Sequence, residues 1–149
     1  MPVSNETIGR PMEILLVEDD LEDAGLTMEA LNKEKFQCRV SLVRDGEEAM
    51  EFVRRQGRYA RAPRPDIILL DINLPKLDGR EVLALLKKDD SLTRIPVVVL
   101  TASHEHQEIL KSENLHVESF LTKPVDLKAF ISVVRSLRKF LLKDVILPQ

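Results

Sequence analysis

Short apolar runs of strand length alternate along this chain with segments of helical period, and that alternation limits the fold more than any other feature. Residues 12–17 make a continuous apolar-rich run, 38–43 a weaker alternating one, and 66–70, 97–100 and 119–121 three more. Five strands are expected. Between them, residues 21–33 place Ala24, Met28 and Leu31 on one helical face, and residues 45–56 do the same with Ala49, Phe52 and Val53. Residues 80–88, 105–113 and 127–142 complete five helical patterns. Asp45 is placed to accept from the Glu48 N–H while Glu48 reaches back, a capping box, and Asp126 is placed to cap the last helix. Strands apolar enough to be covered on both faces, each followed by a helix, predict the α/β class with helices on both sides of a parallel sheet. Right-handed crossovers and five strands suit a flavodoxin-like (βα)5 fold of strand order 2-1-3-4-5.

The 149 residues match one domain, and the expected division is a flexible N-terminal extension (1–11), one folded domain (12–143) and a short tail (144–149). Twenty-two basic against 25 acidic side chains leave a net charge of -3, with no surplus to gather phosphate backbones or anionic lipid. Direct nucleic-acid binding is not expected. No apolar run approaches the roughly 20 residues of a bilayer span, and residues 1–11 lack the apolar centre of a secretory signal. A cytoplasmic chain follows as the expectation. Its one cysteine, Cys38, makes neither an internal disulfide nor a cysteine-based zinc site.

In sheets of this kind, ligands bind beyond the carboxyl ends of the strands. Glu18-Asp19-Asp20 follows the first strand, Asp71 the third, Thr101 the fourth and Lys123-Pro124 the fifth. An acidic run alone is usually a solvated loop, and a threonine ending a strand is ordinary. Asp71 is harder to dismiss, because an ionised carboxylate ending a buried strand costs several kcal/mol unless a cation or hydrogen bonds compensate. Clustered oxygen ligands in a site with room for water suit Mg²⁺. A magnesium site is expected there.

With the long loop Asp71-Ile72-Asn73-Leu74-Pro75-Lys76-Leu77-Asp78-Gly79, the sequence over about residues 12–142 resembles the receiver domain of two-component response regulators. The resemblance implies a phosphorylation-switched protein that takes a phosphoryl group from a sensor histidine kinase and signals through a downstream protein. It implies that Asp71 is the phosphoacceptor, Asp19 a direct Mg²⁺ ligand, Glu18 the holder of the metal's waters, and Asn73 a ligand through its backbone carbonyl. Thr101 matches the switch hydroxyl, Lys123 the phosphate-pairing lysine before a cis Pro124, and Phe120 the aromatic switch position. Tyrosine is commoner there, and phenylalanine lacks its hydroxyl's hydrogen bond. The Arg-Gln-Gly-Arg-Tyr stretch with Pro63-Arg64-Pro65, the Asn73-Leu74-Pro75-Lys76 loop and Leu-His-Val at 115–117 resemble single-domain receivers paired with phytochrome-like kinases.

Rival readings differ at named positions. A haloacid-dehalogenase-like phosphatase also uses a strand-end Asp and Mg²⁺, yet it needs a second Asp two residues on, where Asn73 stands and cannot shuttle a proton. No phosphate-binding glycine motif follows any strand, and His104 and His106 lie two apart, on different faces of a helix. A receiver-like module that is never phosphorylated is the remaining alternative. The chain is expected to be a switch rather than an enzyme, with self-phosphorylation and slow self-dephosphorylation only. With no output domain after the fifth helix, its output is expected through binding. Leu127, Phe130, Ile131, Val134, Leu137 and Leu141 form the sheet-facing side of the last helix, while Ala129, Val133 and Phe140 form a second arc. That arc predicts a homodimer surface.

Overall fold

The computed structural model describes residues 9–32, 37–72, 74, 76–101 and 119–137. Within them the chain runs β1 (Met12–Val17), α1 (Leu21–Leu31), β2 (Cys38–Val43), α2 (Gly46–Arg54), a 3-10 turn (Gly57–Tyr59), β3 (Ile67–Asp71), α3 (Gly79–Lys88), β4 (Val97–Thr101), β5 (Ser119–Thr122) and α4 (Leu127–Ser136). The strands form one sheet in the order β2-β1-β3-β4-β5, every pairing parallel, as expected. The helical pattern at 105–113 and residues 138–142 lie outside the described residues.

All residues of β1, β3 and β4 are buried, and their alternate side chains enter two separate cores. Leu15, Val17, Ile68, Leu70, Val97 and Val99 meet Ala49, Met50 and Phe52 of α2 and Val82, Leu83 and Leu86 of α3. On the other face Ile14, Leu16, Ile67, Leu69, Val98 and Leu100 meet Ala24 and Leu31 of α1 and Phe130 and Val134 of α4. Strands clad on both faces cannot slip by one residue without exchanging the two cores, so the register that sets the strand ends is firmly specified.

Some local expectations change. Asp45 caps α2 by accepting from the Glu48 N–H at 2.8 Å, but Glu48 does not complete a box: its Oε1 accepts from the Tyr59 hydroxyl at 2.6 Å and its Oε2 pairs with Arg58. A full box forms at Asp78 and Glu81, where α3 starts. β3 begins after Asp66, whose carboxylate is taken by both guanidinium nitrogens of Arg10 at 2.8 Å and by the Glu13 N–H at 2.8 Å. Arg10, within the expected flexible extension, is thereby fastened to the sheet. On α4, Asp126 accepts from the Ala129 N–H at 3.1 Å as expected. Val133, placed on the expected dimer arc, is partly buried and packs against the core on the α1 and α4 face of the sheet instead. Ala129 is exposed, and Phe140 lies outside the described residues.

Candidate functional site

The parallel register sets four strand ends side by side, with Val17 opposite Leu70, Asp71 opposite Leu100 and Thr101 opposite Thr122. Glu18, directly after β1, is wholly buried, Asp71 and Thr101 are buried, and Asp19 is half-buried. Oxygens of Glu18, Asp19 and Asp71 all lie within 4.8 Å of one another. The first turn of α3 closes the floor. A Cβ on Gly79 would come within 2.7 Å of the Asp71 carbonyl oxygen and of Ile72 Cα, so glycine is what lets the helix start this close to the site.

Lys123 enters from the end of β5. Its Nζ lies 2.6 Å from Glu18 Oε1 and donates to Asp71 Oδ2 at 2.9 Å and to Asp23 Oδ2 at 3.3 Å. Its backbone N–H donates to the Thr101 carbonyl at 3.0 Å, which ties the two strand ends together, and the Lys123–Pro124 peptide is cis. Phe120 is half-buried against the core on the α2 and α3 face. Asn73, expected to give its carbonyl, lies outside the described residues, as do Ser103, His104, His106 and 115–117.

Burial pushes the Glu18 carboxyl up to about 7, and the adjoining Asp71 carboxylate adds to the rise, while Lys123 partly opposes it. For Lys123 burial acts downward, but its contacts with Glu18 and Asp71 outweigh burial and hold the ammonium above its ordinary range. Among the described residues Glu18 Oε1 has no hydrogen-bond donor although the ammonium is 2.6 Å away, so this contact is charge against charge. A buried oxygen left short of donors, within a trio of hard carboxylate ligands, fits a small divalent cation.

Asp20, the third acid of the run, does different work: it caps α1 by accepting from the Glu22 and Asp23 N–H groups. That cap sets the first turn of α1 and with it Asp23, whose contact with Lys123 the sequence reading missed. The available signal was an acid four residues past Asp19, at the start of a helix beside the expected site.

Residues 14–135 match the model of the response regulator receiver domain. The chain belongs to the response regulator receiver family. Response regulator Rcp1 of Synechocystis sp. is 47% identical over 138 residues, covering 93% of this chain and 94% of Rcp1. A solved Mn²⁺-bound form of Rcp1 superposes with a TM-score of 0.70, with 93% and 100% of the two chains covered. The phosphorylated cyanobacterial phytochrome response regulator RcpA is 47% identical, with a TM-score of 0.71 over 93% of this chain and 99% of that one. The bacteriophytochrome response regulator AtBRR is 40% identical, with a TM-score of 0.81 over 87% and 94%. As a receiver, the chain is a phosphorylation-switched response regulator of a two-component system. No described helix is long and apolar enough to cross a membrane.

Proposed function

We propose that Asp71 accepts the phosphoryl group of this receiver, with Glu18, Asp19 and the Asn73 backbone carbonyl completing a Mg²⁺ site. The observation that carries the reading is the Lys123 ammonium held between the buried Asp71 and Glu18 at one lip of the acidic trio they form with half-buried Asp19. An Asp71 carboxylate oxygen attacks the phosphorus of a phosphohistidine, the P–N bond breaks, and the imidazole leaves with the bond's electrons. Mg²⁺ in this site supplies the positive charge that offsets repulsion between the carboxylates and the arriving phosphoryl oxygens. Lys123 pairs with one of those oxygens.

Thr101, buried at the end of β4, turns its hydroxyl to the new acceptor oxygens, and Phe120 follows into the space it leaves. Two charge-assisted hydrogen bonds at roughly 1.5–3 kcal/mol each are enough to reverse two arrangements of nearly equal free energy. The same site supports self-phosphorylation from small donors and slow self-dephosphorylation. The names of RcpA and AtBRR, which mention phytochromes, support a phytochrome-type histidine kinase as donor. A cytoplasmic setting and a downstream protein that reads the switched surface belong to the same proposal. A homodimer through α4 belongs to the proposal on narrower ground, since Ala129 is exposed but Val133 is core-packed. Phosphotransfer profiling against purified histidine kinases tests the pairing. Fastest transfer from a phytochrome-type kinase is expected; a strong preference for kinases of another class contradicts it.

A further inference from the structure

A lysine ammonium has three N–H donors, and among the described residues Lys123 has three carboxylate neighbours: Glu18 at 2.6 Å, Asp71 at 2.9 Å and Asp23 at 3.3 Å. Two of those donors go to Asp71 and Asp23, and the Glu18 contact is charge against charge. A phosphoryl group arriving at Asp71 therefore meets an ammonium already held by carboxylates, and drawing that ammonium fully onto the phosphoryl oxygens surrenders one of these contacts.

We propose that Asp23 is the contact surrendered: a positioning residue that holds the Lys123 ammonium toward α1 and competes with the phosphoryl group for it. The proposal rests on the reading of Asp71 as phosphoacceptor. Three observations single Asp23 out. Its contact is the longest of the three. Its side chain is 43% exposed, against 0% for Glu18 and 9% for Asp71, so water takes over its solvation when the ammonium leaves, whereas Glu18 and Asp71 have little such recourse. It also sits in the first turn of α1, its own N–H bonded to the Asp20 cap, where the helix N-terminus favours its negative charge without any help from Lys123.

The test follows phosphoryl uptake from acetyl phosphate with Mg²⁺ in wild type, Asp23→Asn, Asp23→Glu and Glu22→Gln, at low and high salt. Carboxylate attack on phosphorus expels acetate, so the intact-mass gain reads the step directly. Asp23→Asn is expected to take up phosphoryl roughly two- to fivefold faster than wild type at low salt, the range of a partly exposed ion pair. The gain shrinks at high salt, and Asp23→Glu restores the wild-type rate. Glu22→Gln removes the same charge from the neighbouring exposed position and leaves the rate near wild type. Asp23→Asn at or below the wild-type rate overturns the proposal, as does an equal gain in Glu22→Gln, which reduces the effect to general charge. Wild type that phosphorylates on Asp71 without responding to Asp23→Asn removes this proposal alone. Wild type that takes up no phosphoryl on Asp71 removes the underlying reading and this proposal with it.

Discussion

Lys123 Nζ donates to Asp71 Oδ2 at 2.9 Å while lying 2.6 Å from Glu18 Oε1, so a single ammonium compensates two buried carboxylates on neighbouring strands. The two acids come from the first and third strands and the cation from the fifth. Only the sheet brings them together.

Removing that cation leaves the acids uncompensated. Lys123→Ala is expected to lower metal-free stability by about 2–4 kcal/mol, somewhat less than breaking a fully buried pair, since Lys123 is partly exposed. Urea unfolding in excess chelator measures it, and Mg²⁺ is expected to recover part of the loss. Unchanged stability in chelator contradicts the compensating role.

Thr101 and Asp19 are expected to separate binding from signalling. Thr101→Ala accepts phosphate with its Mg²⁺ affinity intact but shows a weakened conformational response, because a neutral hydroxyl answers to phosphoryl oxygens. Asp19→Ala loses Mg²⁺ binding, as a member of the acidic trio should. Calorimetric Mg²⁺ titration checks both. Equal loss of metal binding in the two variants sinks the division.

Tyr59, the chain's one tyrosine, offers a pH readout remote from the site. Burial and the hydrogen bond its hydroxyl gives Glu48 push its pKa from 10.0 up to about 12. Because the folded value is the higher one, this contribution to stability is complete below about pH 10 and disappears as pH rises through about 12. Phenolate absorbance of the native protein should therefore emerge well above that of the denatured chain. Tyr59→Phe is expected to cost about 1 kcal/mol at neutral pH and to remove this pH dependence. A native midpoint near the denatured one contradicts the Tyr59–Glu48 bond.

The strand order was readable because β1, β3 and β4 are apolar at every turn of the pleat apart from Glu13 and the terminal Asp71 and Thr101. The strand-end acids, hydroxyl and lysine were readable for a related reason: a polar residue interrupting such a run has few ordinary explanations. What the sequence concealed depended on competition between distant partners. Asp45-x-x-Glu48 and Asp78-x-x-Glu81 have the same spacing, yet only the second closes a capping box, since the first loses Glu48 to Tyr59 and Arg58 eleven and ten residues on. Taken alone, Glu18 reads as part of a solvated acidic run, yet it is wholly buried, its N–H donating to the Val43 carbonyl at 3.0 Å one residue past the end of β1. Asp23 and Lys123 stand 100 residues apart, and no local pattern announces their contact.

The central claim is that Asp71 carries the phosphoryl group and needs the acidic trio's metal to receive it. Intact-mass measurement after incubation with a small phosphodonor and Mg²⁺ tests it most directly, comparing wild type, Asp71→Asn and wild type in excess chelator. Wild type is expected to gain the mass of a phosphoryl group, and neither of the others to do so. Undiminished gain in Asp71→Asn, or equal gain in chelator, would contradict the account.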